Sequence, residues 1–363
     1  MLAPLVGPLA DAFPKARLMA WMNAVKVLGV LALLLNGHPL LAFAIVGLGA
    51  AAYAPAKYGL VTELVPARQL VAANGWLEVS VVCAALLGTV LGGALVSPWL
   101  VESAWGSAAW QNLDALSGGD ASLYTLSLMS LLAIYGLAGL LNVGVPDSGA
   151  RYTAGELHPR ELARDFWRAN LVLWRDRDGG LSLSVTTIFW GVGATLQFAV
   201  LRWAADCLGL PLEQAAYLQA AVAIGVGAGA AIAGRWIPLH RARHMLWAGV
   251  VLGLTMPLLA STTQLALAIP LLALVGVVGG LLVVPLNALL QHRGCSLLSA
   301  GRSIAVQGFN ENASVLAMLF GYALCTALEM PIVPLLWGFG CAIATAMLIL
   351  IWRARMRPVT AVA

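Results

Sequence analysis

Charge is what this sequence has least of. Only 10% of its 363 residues are Asp, Glu, Lys or Arg, while 61% are hydrophobic, and mean hydropathy is +0.89. A soluble domain carries roughly 25% charged residues, so the chain reads as an integral membrane protein along its whole length. The formal net charge of +4 is too small for a nucleic-acid surface, and no nucleic-acid partner is expected. Cysteine is equally sparse. Cys83, Cys207, Cys295, Cys325 and Cys341 are scattered, which excludes a disulfide framework or a cysteine metal site and leaves helix packing as their role. No G-x-S-x-G nucleophile elbow, metal-ligand cluster or phosphate-binding Gly loop with Lys occurs. His158 precedes Asp165 by seven positions, not the spacing of membrane acyltransferases. The chain is therefore no enzyme, and it needs no cofactor.

What is present is a series of apolar runs of about 20 residues, each enough to cross a bilayer. They fall at 18–36, 40–64, 70–96, 122–144, 181–203, 214–234, 243–262, 264–290, 302–326 and 331–352, which predicts an all-α protein with ten full spans. The opening "MLAPLVGPLA" is too short to span and lacks the basic start of a signal peptide; it reads as the last turns of a helix. Lys and Arg mark one side of the membrane. Lys15 and Arg17, Arg68, the 151–177 region, Arg235 to Arg243, Arg293 and Arg302, and Arg353 to Arg357 fall in alternate loops. The opposite loops "NGHP", "STTQ", "ALEMP" and the long 97–122 stretch contain neither. The positive-inside rule then places the basic loops and the C-terminus in the cytoplasm.

The one long polar region, 147–180, divides the chain. Residues 1–146 form one, incomplete helix bundle; 147–180 is a cytoplasmic linker; 181–363 is a six-helix bundle. In the linker Leu162, Phe166, Trp167, Leu173 and Trp174 recur at near-helical spacing among Arg and Asp, the pattern either of a helix lying on the membrane surface or of a plain connector. The halves echo each other: "RLMAW" (17–21) answers "RHMLW" (243–247), and "VGLGAAAYAPAK" (46–57) answers "VGVVGGLLVVPLN" (275–287). "ANGWLE" (73–78) answers "QGFNE" (307–311). Lys57 thus stands opposite Asn287, and Glu78 opposite Glu311. Repeated six-helix units on a cytoplasmic linker resemble major facilitator transporters.

Polar residues inside the spans are few and grouped. Lys57 and Glu78 lie about ten residues to either side of the Pro66–Arg68 turn, so about 15 Å deep on neighbouring helices at 1.5 Å per residue. A buried ion is costly unless paired, and Glu78 is the partner at the right level for Lys57. That pair either locks two helices together or forms a gate or headgroup site. Tyr53, with Pro55, sits one turn from Lys57, and Asn74 one turn from Glu78. Lys26, in the same layer, is expected to snorkel to the interface. The second half offers Asn287, Gln291, Gln307, Asn310, Glu311 and Asn312.

Longer motifs make the resemblance closer. "GPLADAFPKAR" carries the major facilitator Gly-x-x-x-Asp…Arg/Lys signature in Gly7, Asp11, Lys15 and Arg17, although Pro14 stands where a second Gly is usual. "GAAAYAPAKYG" (49–59), "VVPLNALLQHRG" (283–294), "IAVQGFNENAS" (304–314) and "IFWGVGATLQF" (188–198) resemble the bacterial lysophospholipid transporter family. The resemblance implies a major facilitator fold of which the first helix and most of the second are missing from this chain. It implies a bacterial inner-membrane carrier of lysophosphatidylethanolamine and lysophosphatidylglycerol that supplies a lysophospholipid acyltransferase. Lys57 would meet the lipid phosphate, and Glu78 or Glu311 an ethanolamine ammonium. The alternative is a proton-coupled efflux transporter of lipophilic compounds in which Glu78 or Glu311 titrates. Gln197 stands where some members carry a basic residue; Arg202, little over a turn later, is either its substitute or a rim residue.

Overall fold

The computed structural model describes residues 2–95, 97, 125–150, 152 and 159–356, all of it helix and connecting turns. The helices are α1 (Ala3–Ala12), α2 (Lys15–Leu34), α3 (Pro39–Leu64), α4 (Leu70–Leu95), α5 (Thr125–Val143) and α6 (Pro159–Arg175). They continue as α7 (Arg177–Leu208), α8 (Leu212–Trp236), α9 (Leu246–Ala260), α10 (Leu265–Leu297), α11 (Ala300–Ala327) and α12 (Ile332–Met356). Helix ends follow local chemistry. Pro39 occupies the first turn of α3, where a missing N–H costs nothing. Asp176 caps α7, its carboxylate accepting from the N–H groups of Asp178 and Gly179, and Gly209 ends the helix at φ 65°, a left-handed conformation that glycine adopts without strain.

Among the described residues, nine segments are long and apolar enough to cross a membrane. The tenth expected span, α11, is 28 residues long but falls outside that set because Gln307, Asn310, Glu311 and Asn312 interrupt it. The observed helices overrun the expected spans at the basic end: α7 starts at Arg177 and α10 runs on to Leu297. The conserved length of a bilayer span does not stop a helix whose last turns lie among headgroups or against protein. The long 97–122 loop lies mostly outside the described residues, as does His158.

The linker helix α6 differs from a free surface helix. Leu162, Phe166 and Leu173 are buried, and the Phe166 ring meets Phe309 edge-on at 5.1 Å. Its apolar stripe is therefore covered by α7 and α11, while Trp167 and Trp174 stay exposed.

The largest core joins α7, α8, α9, α10 and α12 around Trp203, Met256, Leu272 and Leu282. A smaller one holds Leu18, Met19, Ala56 and Leu60 of α2 and α3 with Ala10 of α1. A third crosses between the halves: Leu70 and Val71 of α4 pack with Ala230 and Ala233 of α8 and Val283 and Val284 of α10. Lipid tails give helices no hydrophobic reason to associate, so close approach depends on small residues. A Cβ on Gly75 would stand 2.7 Å from the Ala230 carbonyl and 3.0 Å from Gly234 Cα. On the other flank, a Cβ on Gly7 would meet Ala305 Cβ at 3.0 Å and Arg302 Cα at 3.1 Å. Both crossings, α4 on α8 and α1 on α11, lie at the basic end. Farther along α4, a Cβ on Gly88, Gly92 or Gly93 would meet nothing within 4 Å. Among the described residues, the tight glycine crossings between the halves thus lie at the basic end.

Candidate functional site

A cavity of about 570 Å³ lies beyond that seal, between α1, α3, α4, α10 and α11. Glu78, Asn74, Asn287, Gln307 and Glu311 supply its polar wall; Val6, Ala54, Val283 and Leu316 are among its apolar residues. Trp190 and Tyr58 also line it.

The polar wall is one connected chain of amides that crosses between the halves. Asn74 Nδ2 donates to Gln291 Oε1 at 2.8 Å and Gln291 Nε2 donates back to Asn74 Oδ1 at 2.9 Å. Asn287 Nδ2 reaches the same Asn74 oxygen at 3.2 Å. Gln307 Nε2 then donates to Asn287 Oδ1 at 2.7 Å and to Glu311 Oε1 at 2.8 Å. Asn74 and Gln291 are almost wholly buried, and buried amides left without partners are costly. The reciprocal pair therefore ties α4 to α10, and the chain ends at a carboxylate facing open space.

The expected Lys57–Glu78 ion pair is not made: among the described residues it is absent from the close contacts between opposite charges. The Lys57 ammonium lies over the Tyr58 ring at 4.3 Å from its centroid, and it is Tyr58, not Lys57, that lines the cavity. Lys57 and Glu78 remain within reach of each other's field, as do Glu78 and Glu311. Lys26 does not snorkel. It is buried, with its ammonium 4.2 Å from the Tyr53 ring centroid and 5.4 Å from that of Tyr135, and it donates to Asn23 Oδ1 at 3.3 Å. Two aromatic faces and an amide hold that cation, each ring contributing cation–π attraction, so the long excursion to the interface is unnecessary. Tyr53 accordingly belongs to this cage and also accepts from Asn142 at 3.5 Å, away from the cavity wall. Asn310 likewise turns away. It donates to Asn170 Oδ1 at 2.8 Å and accepts from the Trp174 indole at 3.1 Å, fastening the linker helix to α11.

The loop signature builds the seal. The Asp11 carboxylate accepts from the Ser299 hydroxyl, from Gly301 N–H at 2.9 Å and from Arg302 N–H at 3.2 Å. It thereby caps the start of α11 from the other half of the chain, where the helix macrodipole favours an anion. Burial pushes the Asp11 carboxyl above the usual carboxylate range, against the opposing pull of Ser299, Gly301 and the Lys15 charge. Lys15 Nζ is 2.5 Å from Glu63 Oε1 and 3.9 Å from Asp11 Oδ1, and Glu63 Oε2 accepts from the Ser148 hydroxyl at 2.5 Å. Gly7 permits the crossing; Arg17 is exposed.

Several partners escaped the sequence reading. Glu63, Ser299 and Gly301 complete the seal, and Tyr58 stands beside Lys57 at the cavity. Glu63 carried a detectable signal, an acid at the membrane-side end of a span one helix from Lys15. Ser299 and Gly301 carried none, because their role depends on a contact nearly three hundred residues away in sequence. Arg202 proves to be a rim residue. It pairs with Asp206 at 3.4 Å and donates to the Met330 carbonyl at 3.0 Å, while the Gln197 carbonyl accepts from Gln219 at 2.8 Å.

The helical fold is shared with known transporters. The fucose:proton symporter FucP of E. coli superposes with a TM-score of 0.70 at 15% identity, over 99% of this chain and 88% of that one. A bacterial homologue of the iron transporter ferroportin, in an outward-facing state, gives 0.63 at 16% identity, over 98% and 87%. These likenesses concern the fold. In sequence, the major facilitator superfamily profile matches residues 1–295. The lysophospholipid transporter LplT of Shigella flexneri is 38% identical over 98% of this chain and 84% of its own length. That of Yersinia enterocolitica is 37% identical over 92% and 77%. The motifs around Lys57, Glu78, Asn287 and Glu311, the sealed fold and these extended identities converge: the chain belongs to the lysophospholipid transporter family of the major facilitator superfamily.

Proposed function

We propose that this protein carries lysophospholipids, lysophosphatidylethanolamine and lysophosphatidylglycerol foremost, across the bacterial inner membrane by alternating access. The observation that carries the reading is the two-sided lining of the cavity. One wall is the amide chain ending at Glu311, with Glu78 and Asn312 beside it; most of the rest is aliphatic, with Tyr58, Trp190 and Phe309 as its aromatic residues. A sugar needs hydrogen-bonding groups all around, whereas an amphiphile needs them only where its head passes. Ala50, Ala51 and Leu316 of the same lining are exposed, so an acyl chain resting there trails along apolar helix surface. Glu78 and Glu311 face an ethanolamine ammonium, and Lys57, whose ammonium lies over the ring of the cavity-lining Tyr58, draws the phosphate from behind that ring. The helix bundles of residues 1–146 and 181–363, joined through 147–180, rock about the site. The basic loops and the C-terminus lie in the cytoplasm, as the positive-inside rule requires, and the delivered lysolipid is consumed there by an acyltransferase.

Uptake of labelled lysophosphatidylethanolamine into spheroplasts tests the assignment. Lys57→Gln, Glu78→Gln and Glu311→Gln are each expected to lower uptake by about tenfold or more, the effect of losing one charge-assisted hydrogen bond, while the protein stays in the membrane at normal abundance. Full uptake in all three variants rules out the headgroup site.

A further inference from the structure

A second cavity, of about 500 Å³, opens at the basic end of the other half, between the start of α7 and the end of α12. It shares no lining residue with the central cavity. Three guanidiniums line it, those of Arg177, Arg243 and Arg353, together with the carboxylates of Asp176 and Asp178. The carboxylates are already engaged. Asp176 takes a two-pronged contact from Arg293, at 2.6 and 3.2 Å, and caps α7. Burial raises its pKa, but the bonds from Arg293 and from the Gly179 N–H outweigh that and hold the carboxyl below the usual range. Asp178 is paired by Arg243. Arg177 donates to the Ala354 carbonyl at 3.1 Å, which fixes its position at the cavity wall. Arg353 is exposed and no carboxylate among the described residues pairs with it. Asp176 is neutralised by Arg293, so among the described residues of the lining the guanidiniums of Arg177, Arg243 and Arg353 outnumber the remaining carboxylate, that of Asp178.

Its surroundings are those of a membrane surface. Trp174 and Trp352 both line the cavity with their side chains partly exposed, at 39% and 61%, and tryptophan concentrates at headgroup level. Leu181 and Leu350 continue the wall toward the apolar belt of α7 and α12. Cations at the mouth, indoles at the rim and leucines below match the order of phosphate, glycerol and acyl chain in a lipid. Basic pockets between transmembrane helices at this depth bind anionic headgroups.

We propose that this cavity holds a resident anionic diacyl phospholipid of the surrounding leaflet, its phosphate between Arg353, Arg177 and Arg243, separate from the transported lysolipid. The lipid bridges the first turn of α7 and the last turn of α12, two helices that bound the C-terminal half.

The test uses the purified full chain in mild detergent, titrated with dioleoyl phosphatidylglycerol or dioleoyl phosphatidylcholine, with retained lipid counted by native mass spectrometry. Phosphatidylglycerol is expected to be retained in preference to phosphatidylcholine. Removing one guanidinium in Arg353→Gln is expected to weaken retention about fivefold, the contribution of one basic residue at a lipid surface, while Arg353→Lys retains most of it. Glu78→Gln, in the central cavity, is expected to leave retention unchanged. Equal retention of the two lipids, or an unaltered Arg353→Gln, overturns the proposal. So does displacement by equimolar inorganic phosphate, which would make the site one for a free anion. Loss of retention in Glu78→Gln would place the lipid in the central cavity and equally end it. None of these results bears on whether lysolipid is transported, which the uptake assay decides by itself.

Discussion

The Asn74–Gln291 pair joins helices that are 217 residues apart in the chain through two hydrogen bonds made in opposite directions. Each amide satisfies the other, so the pair is coupled more tightly than either contact alone. Replacing one member by Leu leaves the other buried and unsatisfied, at a cost of about 1–3 kcal/mol; replacing both removes the demand as well as the supply. Asn74→Leu and Gln291→Leu are each expected to lower the thermal unfolding midpoint in detergent, and the double variant to recover a good part of the loss. Strict additivity in that cycle would mean that the two amides do not act on each other. The sequence displayed both residues as polar positions toward the basic ends of their helices, and that much was legible, because hydropathy reports depth. It did not show which amide meets which, since pairing depends on helix rotation, and the interrupted spans carry too few polar positions to define a face. The same limit explains Lys57 and Lys26. Depth alone suggested a carboxylate partner for one and escape to the interface for the other. Rotation instead set the first over Tyr58 and the second between Tyr53 and Tyr135.

At the scale of helices, two crossings hold the basic end shut, and both depend on glycine. On one flank Gly7 and Gly301 let α1 lie against α11, with a Cβ on Gly301 placed 2.7 Å from Asp11 Oδ1. On the other, Gly75 of α4 faces Ala230 and Gly234 of α8. The obstruction at Gly75 is backbone, which cannot swing aside as a flexible side chain would. Gly75→Val therefore forces α4 away from α8 and works against the sealed state, with overpacking costs of about 1–3 kcal/mol. A spin-label or fluorescence distance measured across the basic ends of α4 and α8 is expected to lengthen, and lysolipid uptake to fall, in Gly75→Val but not in Gly88→Val, where a Cβ meets nothing within 4 Å. An unchanged distance in Gly75→Val would show that the crossing tolerates side chains and is no seal. Element positions were largely readable beforehand, because long apolar runs admit few alternatives in a bilayer. The linker helix was the exception in its packing. Its stripe of Leu162, Phe166 and Leu173 signals an apolar face, but a stripe does not state whether lipid or protein covers it. Phe309 and the core of α7 and α11 supply the cover.

At the scale of the whole molecule, the seal at one end and the cavity beyond it define a direction. The Asp11 carboxylate, the α11 start and the Lys15–Glu63 pair close the basic face, whereas Ala313 lines the cavity on the far side of Glu311 and is exposed. On the proposed orientation, with the basic loops in the cytoplasm, Ala313 faces the outside and Ser299, which is 5% exposed, is hidden. In a background with the five native cysteines replaced, a membrane-impermeant maleimide added to spheroplasts is expected to label Ala313→Cys rapidly and Ser299→Cys scarcely at all. Asp11→Asn changes this balance. The amide keeps roughly the shape of the carboxylate but offers a single carbonyl oxygen to three donors and no charge to the dipole of α11. The seal weakens, and Ser299→Cys becomes reactive toward reagent trapped inside inverted vesicles while Ala313→Cys slows in spheroplasts. The reciprocal change is the informative part. A local loosening around Asp11 would expose position 299 and leave position 313 untouched, whereas a carrier that alternates between two closed ends cannot open one without closing the other. Movement of the two labels in opposite directions follows only if the amide chain and the cavity lie on the axis about which the halves rock.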